Sequence, residues 1–468
     1  MSHLNNASSA TKWVAGGMLV KQSMRLISNL IMTRILTPEV FGLMAIVNLT
    51  IQGINMLSDV GIRPSVIRST REDDIFLKTA WSLQVVRGGV LWIMTLILAL
   101  PVSRYYDEPI LLYILPCSGL IALFMGLNSI AFLQNEKHLK YKRIIVLESI
   151  SAMIGLLVMI ALGLLYNSIW ALVAGGILST LVMTISSFLF FENIKHHFCW
   201  NKEVIHELFH FGKWVFISTA LTFFVGQYDK LALGKLADMQ ALGLYAIAMV
   251  WAGIPVMIMG QLSEKIFFPV ASELYRKGSL DEISAIRNSI VKLSVVICLF
   301  MVTIGQALIN VLYTAEYKEA GALLSVLAVL ALFQIIESVN TSLLLTVGRP
   351  KDKIISQVAG LCVLVLFLPL AFSKLGMYGI AFLAVISMMI RAFILDLQLK
   401  KDSFNFLLFD LKTTAFLLLT GFILYTWVES VVSRFLSIIL LTGGVLITLI
   451  ILVTVYLRQP SLRKLMNV

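Results

Sequence analysis

Residues 168–191 read SIWALVAGGILSTLVMTISSFLFF, an apolar run without one Asp, Glu, Lys or Arg. A helix rises 1.5 Å per residue, so a run of this length crosses the ~30 Å hydrocarbon core of a bilayer. Thirteen further segments have enough apolar length to join it: 13–33, 40–60, 79–101, 110–133, 144–165, 211–235, 241–268, 290–313, 320–346, 354–373, 376–396, 411–428 and 435–457. The whole chain agrees with this reading. Of its 468 residues 59% are hydrophobic and 13% charged, against roughly 45–50% and 25% in soluble domains. A soluble enzyme of this size needs more polar surface than that. The apolar content excludes disorder, and four cysteines, three of them (Cys117, Cys298, Cys362) in apolar runs, exclude a disulfide scaffold. The prediction is an all-α polytopic membrane protein with about 14 transmembrane helices. Met1 to Thr11 is polar and has no basic region followed by a small-residue cleavage site, so no removable signal peptide is expected there.

Lys and Arg placement sets the orientation. With a cytoplasmic N-terminus, 26 of the 37 basic residues fall on the inner side and six (Arg34, Arg104, Lys235, Lys318, Lys374, Arg434) on the outer side. The positive-inside rule then puts both termini in the cytoplasm. The net charge of +11 reflects that asymmetry and suggests no nucleic-acid partner. The outer loops are short, as at Tyr166–Ser168 and Ala237–Gln240. A membrane-embedded glycan polymerase or ligase would need larger outer segments for acidic or His catalytic groups. The longer inner loops, Gly61–Lys78, Glu192–His210 and Val270–Asn288, hold no phosphate-cradling glycine loop, metal-ligand spacing or nucleophilic triad. No enzyme activity, cofactor or metal is expected. His196 and His197 are adjacent, would point apart on a helix, and read as a solvated basic loop.

An internal repeat divides the chain. Lys12-Trp13-Val14 recurs 201 residues later as Lys213-Trp214-Val215. In the same ungapped register Gly42-Leu43 matches Gly243-Leu244, Ala45-Ile46 matches Ala246-Ile247, and Arg34 faces Lys235. A weaker echo sets Asn135–Arg143 against Gly348–Lys353. Six spans per repeat is an even number, so both halves enter the membrane in one direction and should form a parallel pair of lobes with a path between them. The expected organisation is an N-terminal six-helix lobe at 1–200, a C-terminal six-helix lobe at 201–400, and an extra helix pair at 401–468. This is the layout of a transporter.

Charges within spans carry the functional signal, because a charge at mid-bilayer costs at least ~2.5–3.5 kcal/mol. Glu148, Arg391 and Asp396 lie near helix ends, where snorkelling or a local ion pair accounts for them. Lys21 and Arg25 differ. Spaced i, i+4, they share a face of the first span about 12–18 Å from its inner end, with no acid nearby in that span. Asn29 continues the face. Their repeat counterparts are Thr222, Gly226 and Lys230, so Lys230 projects from the equivalent face of the seventh span. Arg87 is a further candidate. Such residues would line a cationic cavity suited to phosphate. The alternative is an ion-pair network, for example Lys230 with the neighbours of Asp229, or Arg87 with Asp59 or Glu337.

The segment Arg34-Ile-Leu-Thr-Pro-Glu-Val-Phe-Gly42, followed by Leu57-Ser58-Asp59-Val60-Gly61, resembles the first hairpin of the polysaccharide repeat-unit (O-antigen and exopolysaccharide) flippases of the multidrug/oligosaccharidyl-lipid/polysaccharide exporter superfamily. Thr37-Pro38-Glu39 itself reads as an N-cap, a proline in the first turn and an acid at the positive end of a helix. Arg63-Pro64 departs from the small residues expected after the Asp-x-Gly. The resemblance implies a multi-pass protein of the bacterial inner membrane that turns an undecaprenyl-pyrophosphate-linked oligosaccharide from the cytoplasmic to the periplasmic leaflet by alternating access, for lipopolysaccharide or exopolysaccharide biosynthesis. The polysaccharide polymerase and the lipid bilayer are the expected partners. On this reading Lys21, Arg25, Arg87 and Lys230 hold the pyrophosphate, with Asn29 as a polar cavity residue. Asp59, Asp229 and Glu337 are the acids available for ion coupling. A peptidoglycan-precursor flippase shares the mechanism. A multidrug or cation antiporter would need acids where Lys21 and Arg25 stand.

Overall fold

A computed structural model describes residues 2–58, 62–69, 71, 73–138, 140–191 and 196–431. All regular secondary structure among these residues is helical. The expected span at 435–457 and Asp59 lie outside the described residues. Eight described helices are long and apolar enough to cross a membrane, or nine if the pair Leu111–Leu127 and Ala131–Lys137, bent by 64°, counts as one span. That is fewer than the expected fourteen. Part of the difference is a merger: one of the eight, Asp352–Asp402, covers two expected spans joined through a kink at Gly376. Helices also cover 13–32 of the first expected span, and all of 211–235 and 411–428, but are not among the eight.

Contacts divide the chain into two units, Met1–Gln227 and Tyr228–Val468. The first contains α1 (Ser2–Met32), α2 (Pro38–Leu57), α3 (Ile62–Arg68), α4 (Asp74–Tyr106), α5 (Leu111–Leu127), α6 (Ala131–Lys137), α7 (Tyr141–Tyr166), α8 (Trp170–Leu189) and most of α9 (Lys202–Leu236). Local chemistry sets the ends of these helices. Thr37 takes the N-cap position of α2 with Pro38 in the first turn, although its side chain makes no capping bond. The Asp73 carboxylate accepts from the Phe76 N–H at 3.2 Å and starts α4. Asp107 and Asn167, both at positive φ, end α4 and α7. In the α4–α5 hairpin the backbones nearly touch: a Cβ on Gly88 would meet Gly126 Cα at 2.9 Å. Small residues permit such approach where lipid offers no hydrophobic driving force between helices. Leu157, Leu164 and Leu165 of α7 stay exposed, as suits a surface that faces acyl chains.

The second unit continues with α10 (Met239–Leu262), a π-helical turn at Ser263–Phe267, α11 (Phe268–Arg276), α12 (Leu280–Leu312), α13 (Glu319–Thr346), α14 (Asp352–Leu399) and α15 (Leu407–Val431). The 201-residue offset sets Met239, the first residue of α10, against Pro38, the first of α2. The N-cap Asp238 likewise stands opposite Thr37, and its carboxylate accepts from Ala241 N–H at 2.7 Å. Helices α4 and α12 each have 33 residues. α13 is the core of this unit: its most apolar window is 72% buried, against 28% for α7. Gly376, at φ 56° and ψ −134°, breaks α14 into two helices, a conformation that glycine adopts without a Cβ clash.

Candidate functional site

α1 and α7 run side by side in the same direction. Successive contacts climb both together: Lys142 over the Trp13 ring, Gly17 against Ile145, Ser28 donating to Met159 Sδ, and Met32 against Gly163. This register brings Lys21 to Glu148, with Nζ 2.5 Å from Oε2. The expectation that no acid neutralises Lys21 is therefore corrected. The counter-ion comes from a helix more than a hundred residues away in sequence, and Glu148 is that residue rather than a helix-end group paired locally. Arg25 lies exposed on the same helix and makes no ion pair among the described residues. Asn29 is half-buried on the same helix.

Lys21 and Glu148 open onto a cavity of about 490 Å³ inside the first unit. Arg87 of α4 also lines it, and its guanidinium donates to the Ser58 and Asn55 carbonyls, both at 3.1 Å. Those carbonyls belong to the C-terminal turn of α2, where unpaired acceptors and the negative end of the helix dipole favour a cation. Gln84, one turn earlier on α4, donates to the carbonyls of Gly126 and Asn128 at 3.1 and 3.2 Å. At another part of the wall Arg63 of α3 forks onto Glu136 of α6, Nε to Oε2 at 2.9 Å and Nη2 to Oε1 at 2.7 Å. Glu136 is buried while the Arg63 side chain is 65% exposed. Three cations and two carboxylates thus line the cavity, together with the hydroxyls of Ser151, Ser179 and Thr180. The wall is polar, net positive, and suited to an anionic group bearing hydroxyls.

The structure brings Lys21 and Arg87 to one cavity; Arg25 and Asn29 share α1 with Lys21 but are not in its lining. Lys230, Asp229 and Glu337 belong to the second unit. Lys230 is half-buried on α9. Asp229 is buried and accepts a 2.5 Å hydrogen bond from the Tyr245 hydroxyl. Glu337 is buried and paired with Arg391, so Arg391 does not snorkel, and Arg87 meets backbone carbonyls of α2. Glu136 and Gln84 were not singled out from the sequence. Their only signal there is polarity inside or beside an apolar segment, which does not say what they face.

His196 also departs from expectation. It is half-buried, packs edge-on against Trp81 and Phe188, and its Nε2 accepts from the Ile130 N–H at 3.3 Å. His197 is exposed. Among the described residues no group of His, Cys, Asp and Glu is arranged to hold a metal ion.

Comparison with known proteins follows the same lines. A family described as "Polysaccharide biosynthesis protein" matches residues 31–322. The teichuronic acid biosynthesis protein TuaB of Bacillus subtilis (strain 168) is 20% identical over 299 residues, covering 62% of this chain and 61% of that protein. The succinoglycan biosynthesis transport protein ExoT of Rhizobium meliloti (strain 1021) is 23% identical over 276 residues, covering 58% and 55%. The chain therefore aligns with about three-fifths of the length of these curated relatives. Among solved structures, the lipid II flippase MurJ in an inward closed conformation superposes with a TM-score of 0.70 at 15% identity, covering 94% of this chain and 98% of that one. An inward-facing multidrug resistance MATE family transporter of the MOP superfamily gives 0.64 at 14% identity, covering 85% and 95%. These likenesses establish a shared fold.

Proposed function

The chain belongs to the polysaccharide biosynthesis protein family, and on that footing we propose that it is a membrane flippase that moves an undecaprenyl-pyrophosphate-linked oligosaccharide from the cytoplasmic to the periplasmic leaflet. The observation that carries this reading is a polar, net-positive cavity, lined by Lys21 and Arg87, inside a unit whose outer surface is apolar. A sugar headgroup needs hydroxyl and amide partners, its pyrophosphate needs cations, and the polyprenyl tail needs lipid. Lys21 and Arg25 are the proposed pyrophosphate contacts at the start of the path, with Asn29 beside them. Arg87 contributes positive potential while holding the end of α2, and Lys230 is the proposed cation of the second unit.

Movement proceeds by alternating access of two six-helix lobes, 1–200 and 201–400, with the helix pair of 401–468 outside them. The proposed location is the bacterial inner membrane with both termini cytoplasmic, and the polysaccharide polymerase takes the translocated unit. The names of TuaB and ExoT, a teichuronic acid biosynthesis protein and a succinoglycan biosynthesis transport protein, support a role in surface glycan export.

Deletion of the gene followed by analysis of lipid-linked glycans tests the proposal. The expected result is accumulation of one oligosaccharide-diphosphate lipid on the cytoplasmic leaflet and loss of the matching surface polymer. Accumulation of the peptidoglycan precursor instead would reassign the cargo. An unchanged lipid-linked pool would refute the flippase reading.

A further inference from the structure

Four helices of the second unit converge on one arginine. Arg287 of α12 is fully buried, and its guanidinium forks onto Asp410 of α15, Nη1 reaching Oδ1 at 2.5 Å and Nη2 reaching Oδ2. Nε and Nη2 also donate to Asn340 Oδ1 of α13 at 3.2 and 3.0 Å. Asn340 in turn donates through Nδ2 to Asp396 Oδ1 of α14 at 2.8 Å. The Phe406 ring covers the guanidinium at 4.3 Å. Asp396 Oδ1 stands 3.5 Å from Arg287 Nη2, the same nitrogen that reaches Asp410 Oδ2. Both carboxyl groups are buried, and Asp396 Oδ2 has no hydrogen-bond donor.

The other charges packed near this layer are already engaged. Glu337 pairs with Arg391, Arg349 pairs with Asp352 and Asp402, and the Lys292 ammonium lies 5.8 Å from the Phe409 ring. One guanidinium therefore faces two dry carboxyl groups. It forks onto Asp410, and the Asn340 amide satisfies one oxygen of Asp396. The remaining oxygen of Asp396 is buried with nothing to donate to it, in a group that shares Arg287 with a second acid. A proton is the ligand that such an arrangement takes, because two carboxylates buried in low dielectric against one guanidinium do not both stay ionised.

We propose that Asp396 and Asp410 hold one proton between them against the single guanidinium of Arg287, and that the cluster is a proton-binding site fastening α15 to the second unit. Uptake turns two carboxylates into one carboxylate and one carboxylic acid, balanced by Arg287. Release restores a second negative charge against a single guanidinium, and the end of α14 and the start of α15 then repel. A coupling role for this proton rests on the flippase reading; the existence of the site does not.

The test is infrared difference spectroscopy of the full chain in lipid nanodiscs across a pH series, with thermal unfolding at each pH. The parent protein should show the C=O stretch of a protonated carboxyl group. Asp396→Asn should lose that band yet fold, because the amide has the shape and the neutrality of the protonated acid. Its unfolding temperature should no longer fall as the pH is raised. Asp410→Asn, which leaves one carboxylate for one guanidinium, should lose the same band. Survival of the band in both variants, failure of Asp396→Asn to fold, or an unfolding profile of Asp396→Asn that still tracks pH like the parent would each overturn the proposal. An unchanged lipid-linked glycan pool on gene deletion would refute the flippase reading and leave this result standing.

Discussion

The ammonium of Lys21 on α1 lies 2.5 Å from the carboxylate of Glu148 on α7. The two helices run parallel, so the contact recurs along their length and the pair is a step in a packed seam rather than an isolated encounter. The side chains remain 46% and 27% exposed and both line the cavity. Lys21 is thus a compensated cation with a wet approach. On the proposed reading an arriving phosphate would compete with Glu148 for it, and the site would be one of exchange rather than of permanent charge.

Lys21→Ala should therefore separate function from folding. An ion pair this exposed contributes about 0–1 kcal/mol after solvent screening, so the unfolding temperature should move little. Surface glycan output at matched protein levels should fall strongly. Glu148→Gln removes the competitor and keeps the cation, so output should persist. Normal output from the Lys21→Ala, Arg25→Ala double variant would remove these residues from the site.

The α4–α5 hairpin offers a test of packing with its own control. A Cβ on Gly88 would meet Gly126 Cα at 2.9 Å, and one on Gly126 would meet Gly88 Cα at 2.7 Å. Backbone atoms cannot step aside as a side chain can, so Gly126→Ala should destabilise the hairpin by roughly 1–3 kcal/mol. A Cβ on the adjacent Gly89 meets nothing within 4 Å. Gly89→Ala should be neutral or stabilising by up to about 1 kcal/mol, since alanine is the better helix former. Thermal unfolding in one detergent compares the two directly.

Two carboxyl groups at the ends of α4 should respond to pH in opposite directions. The hydrogen-bonded Arg71 guanidinium, with help from the Phe76 N–H, holds Asp73 below the usual aspartate range. Its contribution is present above that range and is lost as the pH falls through the lowered value. Burial, and then the charges of Glu39 and Asp107, push Glu108 above the usual glutamate range. The folded state therefore binds that proton more tightly than the unfolded chain, and stability declines as the pH rises through the raised value. Glu108→Gln should raise the unfolding temperature at neutral pH and leave it unchanged in acid. Asp73→Ala should lower stability at neutral pH by about 0.5–2 kcal/mol for a lost N-cap, and lose its effect in acid.

The helices were legible in the sequence because lipid imposes a simple rule: about 20 apolar residues, closed on their own hydrogen bonds. The repeat rests on sequence alone, where Lys12-Trp13-Val14 and Gly42-Leu43 recur without a gap. What each buried charge faces was not. Glu148 sat near a helix end and read as a local group, although its partner lies 127 positions earlier on α1. Arg287 and Asp410 lie just outside the expected spans 290–313 and 411–428, yet they meet across 123 positions, both fully buried. Periodicity reports the face of a helix that turns inward. It carries no information on which helix waits there.

Glu337 is the sharpest instance of that gap. Read from the sequence it is an acid free for ion coupling; in the fold it is buried and paired with Arg391, for which Gly360 makes room. A Cβ on Gly360 would press on Arg391 Cδ and Cγ, so a side chain there would push the Arg391 stem aside. Breaking a buried pair from one side strands the other charge, at a cost of roughly 3–5 kcal/mol, whereas removing both charges is often close to neutral. Arg391→Met should accordingly destabilise the protein by about that amount, and the Glu337→Gln, Arg391→Met double variant should recover most of the loss. If the single and double variants unfold at the same temperature, the pair is not the interaction that holds α13 to α14. If the double variant is stable but exports no glycan, Glu337 regains its claim to a role in coupling.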